Sequence, residues 1–136
     1  MVEPFSLFLR RSLAAVRREC PNAWKRLTHV LDGRALCLEV DAEAIPVAFA
    51  KGAVHWQAAP TYDLYLTTNR AAILALIDGL SLADAVLTDR LTLTGSPDAV
   101  IRFDDALNAY LHGVVRSPSQ PGLLRSYRSD TPADAS

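Results

Sequence analysis

The sequence predicts an α+β domain in which helices cover one face of a five-stranded, largely antiparallel sheet. Hydrophobic periodicity changes from 3.6 to 2 after Gly33 and returns to 3.6 after Asn69. Four short alternating segments lie close together between these points, and a fifth, residues 90–95, ends at a glycine and leads directly into a helix start. With 136 residues, half of them apolar, the chain is long enough for one domain with its own core.

The N-terminal segment, residues 4–20, is predicted to be an amphipathic helix. Its apolar residues fall on one face, and four arginines fall on the other: Arg10, Arg11, Arg17 and Arg18. Such an arginine face is typical of a helix that contacts an anionic membrane surface or a partner, and equally of a solvated surface helix. Pro21 ends the helix, because the residue before a proline disfavours the α region. A second, short helix is predicted over residues 22–31.

The next four segments are predicted to form an antiparallel meander with one apolar and one hydrated face. They are residues 34–41, 45–52, 53–57 and 62–67. Lys51 and Gly52 indicate a tight turn between the second and third segments. Pro46 indicates a strand start or a sheet edge, because proline cannot donate a backbone hydrogen bond to a neighbouring strand.

Capping residues mark the helices that follow. Asn69 can cap a helix with an apolar face, and Ser81 with Asp84 has the spacing of a capping box for a short helix over residues 82–87. Ser96 can cap the last long helix. That helix carries a narrow apolar stripe: Val100, Phe103, Leu107, Tyr110, Leu111 and Val114.

We expect residues 1–116 to form the domain and residues 117–136 to form a flexible C-terminal tail. The chain becomes rich in serine, proline and glycine after Val115, which is typical of disorder. Residues 123–127 are an exception, because they contain two leucines and a tyrosine that could pack on an apolar surface. The sequence leaves open whether this segment covers a binding site.

Composition argues against several classes of protein. A formal net charge of −1 offers no overall attraction for nucleic acid. No apolar run reaches the roughly 18 residues of a membrane span, and the N-terminal arginines lie inside the apolar pattern, unlike those of a secretory signal peptide. Cys20 and Cys37 are expected to be reduced, as in a cytoplasmic protein.

The residues that could support catalysis or metal binding are scattered. The histidines lack metal-ligand spacing: His29, His55 and His112. No nucleophile elbow or glycine-rich nucleotide loop is present, and Asp104 with Asp105 is expected to form a solvated helix face. We therefore expect no catalytic residues, no metal and no cofactor.

Residues 76–95, LIDGLSLADAVLTDRLTLTG, resemble the sterol carrier protein 2 (SCP2) family. In that family an apolar helix, a glycine and a short helix precede a Gly-Lys-Leu-x-Ile-x-Gly strand and the last helix. Here Asp89 replaces the first glycine of the strand, Arg90 replaces the lysine, and Gly95 retains the second glycine. Residues 31–40, LDGRALCLEV, are similar to the family's first strand, and the resemblance extends over residues 24–113.

The resemblance implies a lipid-binding domain with an apolar tunnel between the sheet and its helices, and with no catalytic residue set. The ligand would be a sterol, a fatty acyl chain or an isoprenoid quinone precursor. The candidate lipid-binding residues are the apolar side chains that the sheet and helices would turn toward each other: Val47, Phe49, Val54, Trp56, Leu64, Leu66, Ile73, Leu76, Ile77, Leu80, Leu91, Leu93, Phe103, Leu107 and Leu111.

Four functions remain open. They are a free-standing lipid carrier, an accessory factor that presents an isoprenoid quinone precursor to biosynthetic enzymes, a ligand-free structural or dimerisation module, and an enzyme with a site around His55 and Asp63 on the sheet. In the first two, the arginine face would make transient contact with an anionic membrane or a lipid-modifying enzyme. An empty void of roughly 400 Å³ would cost about 10 kcal/mol, which equals the stability of a typical domain. A tunnel must therefore hold lipid, hold water, or be largely closed in the free protein.

Overall fold

The structure is a computed structural model, and it describes residues 3–131. Its elements are α1 (Phe5–Glu19), α2 (Pro21–Val30), β1 (Ala35–Val40), β2 (Glu43–Ala50), β3 (Ala53–His55), β4 (Leu64–Thr68), α3 (Arg70–Ile77), α4 (Leu82–Leu87), β5 (Thr92–Gly95), α5 (Pro97–Arg116) and α6 (Gln120–Asp130). The fold is α+β with a five-stranded, mostly antiparallel sheet and helices packed on it, which confirms the predicted fold class.

The strand order is β3-β2-β1-β4-β5, and β4 lies beside β1 in a parallel arrangement. The predicted four-stranded antiparallel meander is therefore wrong beyond β3, because the chain crosses from one edge of the sheet to the other side of β1 before β4 begins. Apolar alternation is the same for a strand running in either direction, so it could not reveal this crossover. Pairing Leu36 with Leu64 and Leu38 with Leu66 still places all four side chains on one face.

The two faces of the sheet differ as predicted. Ile45, Val47 and Phe49 of β2 are buried, whereas Tyr65 on the opposite face of β4 is 48% exposed. β3 pairs only with Ala48–Ala50, so Pro46 lies where the outer edge of β2 has no partner strand. The sheet thus covers the core with one face.

The predicted turn and helix caps are confirmed. Lys51 and Gly52 both have positive φ, 53° and 75°, as a two-residue hairpin turn requires. The side chains of Asn69, Ser81 and Ser96 each accept a hydrogen bond from the first turn of their helix, at 2.8, 3.0 and 3.1 Å. Local sequence chemistry therefore determines where α3, α4 and α5 begin.

α5 packs along α2 through small residues. Its most buried positions include Ala99, Ala106, Ala109 and Gly113, whereas much of the predicted apolar stripe is only partly buried. A Cβ at Gly113 would lie 2.8 Å from Cγ1 of Val16. Glycine at this position therefore lets α5 approach α1 and α2 closely.

The substitution Gly113→Leu is expected to lower the free energy of unfolding by about 3 kcal/mol, because the added side chain would overpack a rigid helix contact. Urea denaturation measures this effect. His112→Leu introduces the same side chain at the adjacent exposed position and is expected to change stability by less than about 0.5 kcal/mol. Equal stability of the two variants would contradict the close helix approach.

The prediction of a flexible tail from residue 117 onward is wrong for the described part of that segment, because Gln120–Asp130 form α6. Tyr127 is 2% exposed and its ring packs against the rings of Phe5 and Phe8. Its hydroxyl donates to the carbonyl of Arg70 at 2.7 Å. Tyr127 thus anchors α6 to the core, and Leu123 and Leu124 pack partly buried against the same cluster. Residues 132–136 lie outside the described part.

Two further contacts hold α6 against α1. The side-chain amide of Gln120 donates to the carbonyl of Ser12 at 3.0 Å, and the Ser12 hydroxyl donates to the Gln120 amide oxygen at 2.9 Å. The carboxylate of Glu19 accepts hydrogen bonds from Ser117 and Ser119, which lower the pKa of Glu19 to about 2. The start of α6 is therefore held at the middle of α1, and the residues between α5 and α6 are held at its C-terminal end.

Candidate functional site

The buried apolar side chains form two clusters. The larger one lies between α1, α2, α5, α6 and the sheet, and it contains Val47, Phe49 and Leu64. The smaller one lies between β4, α3 and α4, and its buried members are Leu66, Leu76, Leu82, Ala85 and Leu91. Members of the larger cluster, such as Leu13 and Trp24, line openings elsewhere on the surface, and the smaller cluster reaches an opening beside α5.

That opening is a groove of about 290 Å³ between the α3–α4 hairpin and α5, which we call the hairpin groove. Its lining residues are Leu76, Gly79, Leu80, Ser81, Leu82, Ala83, Asp104, Leu107, Asn108 and Leu111. Leu76 and Leu82 belong to the smaller cluster, so the floor of the groove is the edge of the core. Asp104, Asn108 and Ser81 contribute polar groups to its lining.

The candidate lipid-binding residues fall into three sets. Buried in the two clusters are Val47, Phe49, Leu64, Leu66, Leu76 and Leu91. Partly buried against these clusters are Val54, Trp56, Ile73, Ile77, Leu80, Leu93, Phe103 and Leu107. Leu111 is also partly buried. Four of these residues meet in the hairpin groove: Leu76, Leu80, Leu107 and Leu111.

Sequence reasoning missed the polar part of the groove lining. The sequence predicts that Asp104 lies on a solvated helix face, yet Asp104 is only half-exposed and lines the groove together with Asn108. These two residues are one helical turn apart on α5, so they share a face. The sequence does contain a signal for their place in the groove, because each lies within one helical turn of a groove leucine, Leu107 or Leu111, on the same helix.

The α1 arginines take different partners. Arg11 pairs with Glu3 at 3.0 Å, and Arg18 lies 3.4 Å from Glu19. The guanidinium carbon of Arg10 lies 4.8 Å from the ring centroid of Trp56, and that of Arg17 lies 5.9 Å from Trp24. The predicted arginine face therefore includes two cations that stack on indole rings.

Two tyrosines have shifted pKa values, and burial is the main cause in both. Burial raises the pKa of Tyr110 to about 12 and also raises the pKa of Tyr127. Among residues 3–131, no group of three His, Cys, Asp or Glu side chains is placed to hold a metal ion. No helix in the same range combines the length and apolarity of a membrane span.

The sheet order, the covering helices and the groove beside the last long helix together define an SCP2-like fold. The chain is similar to a structure described as "UbiJ-SCP2 Ubiquinone synthesis protein", with a TM-score of 0.60, 19% identity, and coverage of 79% of this chain and 99% of that one. It is also similar to sterol carrier protein 2 like 2 from Aedes aegypti, with a TM-score of 0.51, 17% identity, and coverage of 74% and 94%.

A third similar structure is sterol carrier protein domain 2 of Helicoverpa armigera, with a TM-score of 0.52, 13% identity, and coverage of 77% of this chain and 86% of that one. No family model matches the sequence, and no curated protein matches it. At these identities the similarity establishes the fold.

Proposed function

We propose that this protein binds one long apolar lipid through the hairpin groove and carries it, or presents it to an enzyme, without making or breaking a bond. The observation that supports this most is the convergence of Leu76, Leu80, Leu107 and Leu111 on one opening above the smaller core cluster. An SCP2-like fold is a second support, because the similar structures include sterol carrier proteins. The proposed location is the cytoplasm.

The groove is smaller than an acyl-sized void, which agrees with a site that is largely closed without ligand. Opening it requires the α3–α4 hairpin to move away from α5. α4 has six residues, and its C-terminal Leu87 is 78% exposed. α4 is short and buries two side chains, Leu82 and Ala85, both in the smaller cluster. We therefore propose that α4 is displaced on binding and that the lipid chain replaces these apolar contacts.

The apolar lining of the groove predicts that the protein distinguishes lipids by the length of their apolar part more than by its chemical type. Apolar burial contributes about 25 cal/mol per Å², and it does so almost equally for acyl, sterol and isoprenoid surfaces. Asp104 lies among the polar lining residues, and it would disfavour an anionic head group at that position. A neutral or protonated head group is therefore the better fit.

A role in presenting an isoprenoid quinone precursor is the second candidate function. The similar structure described as a ubiquinone synthesis protein favours it. Under this alternative the groove binds a polyprenyl chain, and function depends on a partner enzyme. A ligand-free structural module is the third candidate, and it predicts no saturable lipid uptake.

The test is a titration of the purified protein with a fluorescent long-chain fatty alcohol, whose head group is neutral, followed by displacement with oleyl alcohol, cholesterol or a polyprenol. We expect saturable uptake of one molecule per chain and a rise in the thermal midpoint. At a ligand concentration 100 times Kd, the stabilisation would be about 2.7 kcal/mol. Absence of saturable uptake and of any thermal shift with all three lipid classes would refute lipid binding.

A further inference from the structure

Two adjoining grooves bring together six of the 14 Lys and Arg side chains on the surface formed by α1, α2 and the β2–β3 turn, which we call the basic face. One groove, of about 350 Å³, is lined by Arg10, Arg17 and Arg18 together with Trp24 and Trp56. The other, of about 620 Å³, is lined by Lys25, Arg26 and Lys51. They adjoin at Trp24, whose indole N–H donates to the carbonyl of Gly52 in the second groove at 3.0 Å.

The charge of this surface is opposite to that of the chain as a whole. The two grooves are lined by six cationic side chains but by one carboxylate, that of Asp32. That carboxylate already accepts the backbone N–H of Lys51 at 3.0 Å. The complete chain has a formal net charge of −1. The basic face is therefore a local excess of positive charge that attracts an acidic partner.

Two of the cations are held in place without an acidic partner. Arg10 lies over Trp56 and Arg17 over Trp24, and neither forms an ion pair within residues 3–131. A guanidinium stacked on an indole keeps its N–H edge free, and that edge matches a carboxylate in a bidentate geometry.

We propose that the basic face binds an acidic, extended segment of a partner protein. Two adjoining concave grooves with separate cation groups fit a chain that carries several carboxylates. A flat bilayer fits them less well, because it recruits protruding aromatic residues. Trp24 is 7% exposed and Trp56 lies half-buried beneath Arg10. Single-stranded nucleic acid requires open aromatic faces for base stacking, whereas guanidinium groups lie over both indoles.

The two tryptophans of the chain line the same groove, so intrinsic fluorescence reports on it directly. The probe is a blocked 12-residue peptide of alternating glutamate and leucine, added at low salt and also measured by calorimetry. We expect saturable binding that the double substitution Arg10→Gln/Arg17→Gln weakens about tenfold or more, because each arginine lost removes a charge-assisted contact to a peptide carboxylate.

Arg116→Gln/Arg125→Gln is the matched control, because it removes the same charge at exposed positions of α5 and α6. This variant is expected to bind the peptide within about twofold of the wild type. Lipid occupancy of Arg10→Gln/Arg17→Gln is expected to stay unchanged, which separates the basic face from the hairpin groove.

Three results would overturn the proposal. The first is the absence of saturable peptide binding, and the second is equal weakening by the two double variants, which would indicate unspecific attraction. The third is that phosphatidylglycerol vesicles or a thymidine oligonucleotide bind more tightly than the peptide, and that Arg10→Gln/Arg17→Gln loses this binding. That result would assign the basic face to a membrane or to nucleic acid.

Discussion

Ending the chain after Arg116 is expected to lower the free energy of unfolding by about 5 kcal/mol or more, which is a large part of the stability of a typical domain. The truncation removes the buried ring of Tyr127, and the loss of one buried aromatic side chain alone costs about 3–5 kcal/mol. It also exposes Phe5 and Phe8, and it leaves the buried hydroxyl of Ser12 without Gln120. Urea denaturation of the shortened chain measures the effect.

Two companion variants make this prediction specific. A chain ending after Thr131 retains α6 and is expected to have the urea midpoint of the full chain. Tyr127→Ala is expected to lose about 3–5 kcal/mol, and it gives a measurement even if the chain ending at residue 116 does not fold. If the chain ending after Arg116 and Tyr127→Ala both had wild-type stability, α6 would not be part of the folded domain.

Leu107→Trp is expected to weaken uptake of the fluorescent fatty alcohol while the domain remains folded. Leu107 is a partly buried residue of α5 that lines the hairpin groove. The larger indole would occupy the space into which a lipid chain must enter. We expect at least about a tenfold loss of affinity, equal to roughly 1.4 kcal/mol, and a change in stability below about 1.5 kcal/mol because the groove is open to solvent.

Ile101→Trp is the matched control for this substitution. Ile101 lies on the same helix but is 61% exposed and is not among the groove residues. This variant is expected to take up lipid as the wild type does. Equal uptake by Leu107→Trp and Ile101→Trp would show that the hairpin groove is not the lipid site.

The sequence predicted those parts of the fold that depend on local chemistry. Asn69, Ser81 and Ser96 cap their helices because their side chains bind backbone N–H groups within the next turn. Lys51-Gly52 turns the β2–β3 hairpin because both residues adopt positive φ. Alternation identified the apolar face of the sheet because side chains alternate regardless of how strands pair.

Two features that depend on contacts between distant parts of the sequence could not be predicted from it. The parallel pairing of β1 with β4 depends on a crossover that alternation does not encode. The helical state of residues 120–130 depends on Tyr127 meeting Phe5 and Phe8, which lie more than a hundred residues away in the chain. Composition describes only the local tendency of such a segment, and tertiary packing overrides it.

Four of the candidate lipid-binding residues line the hairpin groove, and their role in lipid binding stays a prediction. Apolar periodicity selected Leu76, Leu80, Leu107 and Leu111, which do share one opening. The same periodicity selected residues such as Leu64 and Leu91 that are buried in the core. A side chain that packs against its neighbours and one that faces a ligand have the same hydrophobicity, so no pattern in the sequence separates them.

Native mass spectrometry of the protein purified from cells, followed by lipid extraction and identification, tests the central claim most directly. Lipid binding predicts a second mass species that exceeds the polypeptide by one long-chain lipid and is lost on organic extraction. Leu107→Trp is predicted to lack this species, and Ile101→Trp to keep it. A single species at the polypeptide mass, in protein that also takes up no added lipid, would contradict the claim.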